Sequence, residues 1–320
     1  MKLCLSLLGI SLWYAGMTQP VTAQQAAPVE TSVTLKTESG NIAGWLSLPA
    51  SGNSETVALI IAGSGPTDKD GNNQMMKNNS LKMLSDELLK QGITTLRYDK
   101  RGIGASVGAM KAESALRFDD YVSDARGWVA LLQQDKRFRR VVVIGHSEGS
   151  LIGMLAAADA KANAYISIAG AGQRADALLK EQFNAQPPMV RDLALPILDS
   201  LGKGKTVDSV NRMINSVFRP SIQPYMISWF RYDPQVLIAK LRMPVLIVQG
   251  DQDIQVSVED AKRLSAANPR ATLAIIPGMN HILKPVSGDR AANMKTYNDP
   301  LLPIVPALGQ QVVSFIKGKK

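Results

Sequence analysis

A serine hydroxyl becomes a useful nucleophile only when the chain gives it an exposed position, a base and donors for the charge it creates, and one stretch of this sequence meets the first requirement. Residues 141–149 read Val-Val-Val-Ile-Gly-His-Ser-Glu-Gly: an apolar run passes straight into G-x-S-x-G and then into a helical pattern. A serine on such a strand-to-helix turn has to take strained backbone angles, and Gly145 and Gly149 keep side chains away so that the Ser147 hydroxyl projects alone. The helix that starts there aims its N-terminal N–H groups and the positive end of its dipole at the same point. The motif is common by itself in glycine-rich chains; its place at this junction is what makes Ser147 a candidate nucleophile.

The base and its partner are sought by elimination. The chain has two histidines, His146 and His281. His146 adjoins Ser147, where its side chain is expected to point away from the hydroxyl. His281, at the end of Ile275-Ile276-Pro277-Gly278-Met279-Asn280-His281, is therefore the candidate general base. A base of this kind needs a carboxylate to fix its tautomer, and Asp251 and Asp253 both follow the apolar run 245–249. For the developing oxyanion, one donor is expected to be the backbone N–H of Glu148. The second is sought after the run 57–62, in Gly63-Ser64-Gly65-Pro66-Thr67-Asp68-Lys69-Asp70-Gly71-Asn72, with Ser64 as the candidate because small neighbours let the main chain approach a substrate oxygen. An ordinary glycine turn is the alternative. A phosphate cradle is a weaker one, since G-x-x-x-x-G-K-[ST] is absent.

The elements that must position these groups alternate. Apolar runs at 57–62, 93–98, 141–145, 165–169, 245–249 and 272–276 are short and bounded by glycine or polar loops, as strands buried on both faces are. Helical spacing of apolar residues falls between them at 80–91, 118–134, 147–160 and 258–267. This predicts the α/β class, a mostly parallel central sheet with helices on both faces. Residues 31–48 predict a β-hairpin around Glu38-Ser39-Gly40-Asn41. The stretch from about 173 to 240 is too long for a simple crossover, and a helical cap is expected there, cut into short helices by Pro187, Pro188, Pro196, Pro220, Pro224 and Pro234. Tyr225, Trp229 and Phe230 are expected either to pack that cap onto the body or to wall a pocket.

At the N-terminus, Lys2 precedes an apolar stretch from Leu3 to Met17 and then Val21-Thr22-Ala23, which predicts a signal peptide over residues 1–23 with cleavage after Ala23. The apolar run is shorter than the roughly 20 residues of a membrane span, so no stable span is expected after cleavage, an uncleaved anchor being the alternative. The rest, 24–320, is expected to form one domain, periplasmic or secreted. Cleavage would remove Cys4, the only cysteine, and with it any disulfide or thiol chemistry. Apolar residues at 45% and charged residues at 20% suit a packed globular core. The net charge of +9, or +8 without Lys2, comes with no basic block interleaved with aromatics, so nucleic acid is not an expected partner. Two separated histidines make a poor metal site, and neither a metal nor a cofactor is expected.

From Val57 onward the chain resembles the α/β-hydrolase superfamily, and its Gly63–Asn72 loop is similar to that of bacterial carboxylesterases related to serine aminopeptidases. Lys69 stands where that loop would be expected to carry arginine. Arg97-Tyr98-Asp99-Lys100-Arg101-Gly102-Ile103-Gly104-Ala105-Ser106 is similar to the superfamily's loop after its next strand, which implies that Asp99 and Arg101 brace the floor of the site. Gly250-Asp251-Gln252-Asp253-Ile254-Gln255-Val256 resembles the superfamily's acid loop, which favours Asp253 and keeps Asp251 as fallback. The resemblance implies an α/β-hydrolase fold with a cap and cleavage of a small-molecule ester or other acyl bond by Ser147, His281 and Asp253. Glu148 is expected to contact Arg97, Arg101 or the cap, or to recognise a cationic substrate group. An aminopeptidase or amidase with the same triad, and a non-catalytic binding protein on the same fold, are the alternatives.

Overall fold

The computed structural model describes residues 28–50, 52 and 54–318, so the expected signal peptide lies outside the described residues. Among these residues, eight strands form one sheet: β1 Val29–Thr37, β2 Gly40–Leu48, β3 Thr56–Ile61, β4 Thr94–Tyr98, β5 Arg140–His146, β6 Ala164–Ile168, β7 Val245–Gly250 and β8 Thr272–Ile276. Their order is β1-β2-β4-β3-β5-β6-β7-β8. The β1–β2 hairpin joins β4 antiparallel, and every later pairing is parallel. The hairpin turn is tighter than the four residues expected: Thr37 pairs with Gly40 across only Glu38 and Ser39.

Among the described residues, eleven α-helices surround the sheet: α1 Ser80–Lys90, α2 Phe118–Gln134, α3 Glu148–Asp159, α4 Ala175–Asn184, α5 Pro188–Gly202, α6 Asn215–Phe218, α7 Gln223–Phe230, α8 Pro234–Ala239, α9 Val258–Ala267, α10 Arg290–Thr296 and α11 Pro306–Ile316. The central strands look apolar throughout because alternate residues face two separate cores. Val57, Leu59, Val143 and Ile247 pack with Trp128 of α2, Ile152 of α3 and Leu264 of α9. Ala58, Ile60, Ile144 and Val248 pack on the other face with Leu84 of α1 and Leu308 and Val312 of α11.

Between β6 and β7 the chain makes α4 to α8, the helical cap, whose Ala194, Leu198, Phe218 and Phe230 join the first core. Prolines begin α5 and α8, where a missing N–H costs nothing, but Pro196 lies inside α5 instead of ending a helix. The carbonyl it deprives of a donor belongs to Asp192, an exposed residue that water can satisfy.

Strand order fixes where a site must lie. β3 has β4 on one side and β5 on the other, so the first two crossovers, β3 to β4 and β4 to β5, run in opposite directions. The crevice beyond the carboxyl ends of β3 and β5 is the switch point of the sheet, and the loops carrying Ser64 and Ser147 both leave there.

Candidate active site

Ser147 occupies the turn between β5 and α3 with φ 55° and ψ −122°, a left-handed conformation rare for a side chain larger than glycine. Two glycines make the turn possible. A Cβ on residue 145 would sit 2.1 Å from the Gly149 oxygen, and one on residue 149 would sit 2.5 Å from the main-chain oxygens of both Ile61 and Ala62. The helix begins at Glu148, one residue later than the periodicity predicts, because Ser147 itself carries the turn.

His281 Nε2 lies 3.1 Å from Ser147 Oγ, and His281 Nδ1 lies 2.8 Å from Asp253 Oδ2. The imidazole is buried and the Asp253 side chain is fully covered. Asp253 also accepts from Gln255 N at 2.8 Å, Val256 N at 2.9 Å and the Gln249 amide at 2.9 Å. Burial pushes its pKa up, yet the His281 ring and these donors outweigh burial and hold the carboxyl below its ordinary value. Asp251, the fallback acid, is exposed and accepts from Gly278 N at 2.7 Å, so it shapes the loop without touching the imidazole.

The supporting roles of four residues escaped the sequence reading. His146 does point away from the Ser147 hydroxyl, and its Nε2 lies 2.7 Å from the carbonyl of His281, pinning the backbone of the base. Burial, then the neighbouring His281, lower its pKa to about 4, so at neutral pH it is an uncharged Nε2–H donor. Gln249 is the one amide side chain in the run that forms β7, and that incongruity was the signal. Asn280 bonds Asn293 at 3.0 Å and Thr296 at 2.7 Å, and Asn293 donates to Gln252 O at 2.7 Å, which ties the loops of base and acid to α10.

The expected oxyanion donors lie beside Ser147. Glu148 is the first residue of α3, so its N–H has no partner within the helix. Gly63 packs so close that a Cβ on it would be 3.1 Å from Ser147 Cβ, and Ser64 N makes no hydrogen bond among the described residues. Ser64, Ser147 and Glu148 share a cavity of about 100 Å³ with Leu151, Leu179 and Trp229. Ser64, Glu148, Leu179 and Trp229 also border a second cavity of about 600 Å³ that runs between Lys100, Tyr121 and the cap residues Ile222, Tyr225 and Met226. A groove of about 680 Å³ between α1 and α11 is larger, but none of these groups lines it.

The Glu148 side chain goes elsewhere than Arg97 or Arg101. Arg97 pairs with Glu30 and Asp70, and Arg101 makes a two-pronged bond to buried Asp124 at 2.8 and 2.5 Å. Glu148 instead receives the Tyr225 hydroxyl from α7 and lies 3.9 Å from Lys100. Burial raises its pKa, against the pull of Lys100 and Tyr225. Asp99 ties the Ser64 loop to its own, accepting from Lys69 N at 2.9 Å and Ala105 N at 3.0 Å. In the cap, Tyr225 and Trp229 do both things expected of them, packing on Phe118, Trp229 stacked and Tyr225 tilted, while lining a cavity, and Phe230 is buried in the core. Among the described residues, no cluster of three or more His, Cys, Asp or Glu is arranged to hold a metal ion.

A family model described as serine aminopeptidase, S33, matches residues 77–238, which is half of the chain and includes Ser147. The chain belongs to this family. In the α/β-hydrolase group it represents, the chain is 25% identical over 263 residues to esterase EstD of Thermotoga maritima, an alignment covering 77% of this chain. The chain spans only 58% of that esterase's length. Among solved structures, Est1E of Butyrivibrio proteoclasticus, in a form with ferulic acid bound, superposes with a TM-score of 0.60 at 20% identity, covering 89% of this chain and 99% of that one. The Pyrococcus furiosus esterase Pf2001 gives 0.54 at 16% identity, with 91% and 93% covered. At such identities the likeness speaks for the fold of this serine aminopeptidase-family member.

Proposed function

We propose that this chain is an exported serine hydrolase that cleaves carboxylic esters of small or medium acyl groups through an acyl-enzyme. The observation that carries the reading is the continuous line of contacts from Asp253 through His281 to Ser147 at the switch point of the sheet. Ser147 Oγ attacks the ester carbonyl as His281 Nε2 takes its proton. Asp253 holds the Nδ1–H and stabilises the imidazolium. The N–H groups of Glu148 and Ser64 receive the oxyanion, each such donor typically contributing about 10²-fold or more in rate. His281 then protonates the leaving alcohol, and a water activated by the same imidazole releases the acid.

Two adjoining cavities support the proposed substrate size. The one of about 100 Å³ beside Ser147 suits a short chain, and the apolar one of about 600 Å³ beneath Trp229 suits the bulkier half of a small-molecule ester. The amidase reading would look to the Glu148 carboxylate to receive a free amine. That carboxylate is already engaged by Tyr225 and faces Lys100, which favours esters. Export, to a periplasmic or extracellular site, rests on residues 1–23 alone.

The test is a rate panel of p-nitrophenyl esters from acetate to octanoate, with methyl ferulate, set against aminoacyl p-nitroanilides. Turnover of the esters at least about 100-fold above the anilides is expected. A reversed order would establish the amidase, and no turnover of either class by folded protein would support a binding protein.

A further inference from the structure

Lys100 is a lysine with 1% of its surface exposed, in the loop after β4, and the chemistry outlined above leaves it without a task. Burying an ammonium group costs several kcal/mol before any partner is found. Its Nζ donates to Gly63 O at 2.5 Å and to Gly65 O at 2.8 Å, the two carbonyls that bracket Ser64. Gly63 C=O and Ser64 N–H are opposite ends of one planar trans peptide group, so a cation drawing the carbonyl one way turns the N–H the other. The same contact draws electrons toward the oxygen and makes that N–H a stronger donor. The Glu148 carboxylate lies 3.9 Å from Nζ, and the N–H of Glu148 is the other expected donor. Burial lowers the Lys100 pKa, and Glu148 acts against that shift.

We propose that Lys100 is a positioning residue of the oxyanion hole: it orients and polarises the Ser64 N–H through the Gly63–Ser64 peptide group and never touches substrate. This rests on the ester-hydrolase reading above. The Tyr225 hydroxyl, bonded to Glu148, extends the cluster from the oxyanion donors to the cap. The ring of Tyr121, 5.2 Å from Nζ, closes its remaining side.

The experiment compares the parent, Lys100→Met, and the pair Glu148→Gln and Lys100→Met/Glu148→Gln. The last variant removes both charges together, so no unpaired carboxylate is left buried if Lys100→Met fails to fold. For each, kcat and KM on one ester are measured with the inhibition constant of a trifluoromethyl ketone, whose tetrahedral adduct carries an oxyanion, and with that of the planar carboxylate product. Loss of Lys100, in either background, is expected to lower kcat by about tenfold or more, part of what a whole oxyanion donor is worth. The trifluoromethyl ketone should weaken by a similar factor, while KM and product inhibition stay within about twofold. Equal losses for ketone and product, or no loss in either background, would overturn the role given to Lys100. A parent that turns over no ester would instead remove the reading on which it rests.

Discussion

At the scale of single residues, the two candidate aspartates make opposite predictions. Asp253 faces the imidazole and Asp251 caps a turn at Gly278, so Asp253→Asn should lower kcat by about 10⁴-fold while Asp251→Asn stays within about threefold of the parent. Comparable losses from both, measured on one ester, would contradict the assignment of the acid. The candidate nucleophile and base were legible in the sequence for a simple reason: of two G-x-S-x-G stretches, 104–108 and 145–149, only the second runs straight out of an apolar strand pattern, and only two histidines exist, one of them adjacent to that serine. Choosing between the aspartates required the resemblance of the 250–256 loop, since two residues of offset in a loop do not reveal which side chain turns inward. The contact of Glu148 with the cap was among the expectations and is made by Tyr225, but its charged neighbour Lys100 was not legible. Lys100 lies 48 positions away in sequence, and nothing in its neighbourhood marks it as buried; only the packing of the β3 and β4 loops against α3 brings the two side chains together.

At the scale of elements, the tight elbow makes Gly149 intolerant of a side chain. Gly149→Ala should destabilise by roughly 1–3 kcal/mol and push Ser147 out of place, because the obstructing atoms are main-chain oxygens of β3 and its end, which cannot swing aside. Urea denaturation measures the first effect and ester turnover the second; an alanine variant as stable and active as the parent would contradict the close approach of α3. The cap makes a second prediction. Trp229 walls both cavities, so Trp229→Ala should raise KM for octanoate or ferulate esters by about tenfold, or roughly 1.4 kcal/mol of lost apolar contact, with acetate turnover within about threefold. Strands and the main helices were legible because an apolar run buried on both faces and a helix buried on one stripe have different periods. The details that slipped are local: Pro196 inside α5 and the two-residue hairpin turn depend on which carbonyls water can reach and on how the strands twist. Helices α10 and α11 were passed over, although Leu308, Val312 and Ile316 recur at helical spacing.

At the scale of the whole molecule, burying His146 uncharged links stability to pH. Its pKa falls from 6.5 to about 4 on folding, so between these values the unfolded chain binds a proton that the folded chain refuses. This group's contribution, about 3 kcal/mol, is therefore complete above pH 6.5 and is lost as the pH falls toward 4. Urea titrations from pH 4.5 to 7.5 should show stability rising through that window, with a flatter rise in His146→Gln; identical slopes would contradict the buried neutral ring. The parallel class of the sheet was legible, but its order was not: the position of β4 outside β3, which creates the switch point, follows from how helices cover two faces and leaves no trace in the residues of either strand. That order brings Ser147, Asp253 and His281, more than 130 positions apart at the extremes, to one crevice. Labelling with a fluorophosphonate probe, located by peptide mass spectrometry, tests whether they act together. One adduct on Ser147 is expected in the parent, none in Ser147→Ala, and labelling slowed by at least about 100-fold in His281→Ala. Folded parent protein that takes no label, or that carries it on another residue, would contradict the account.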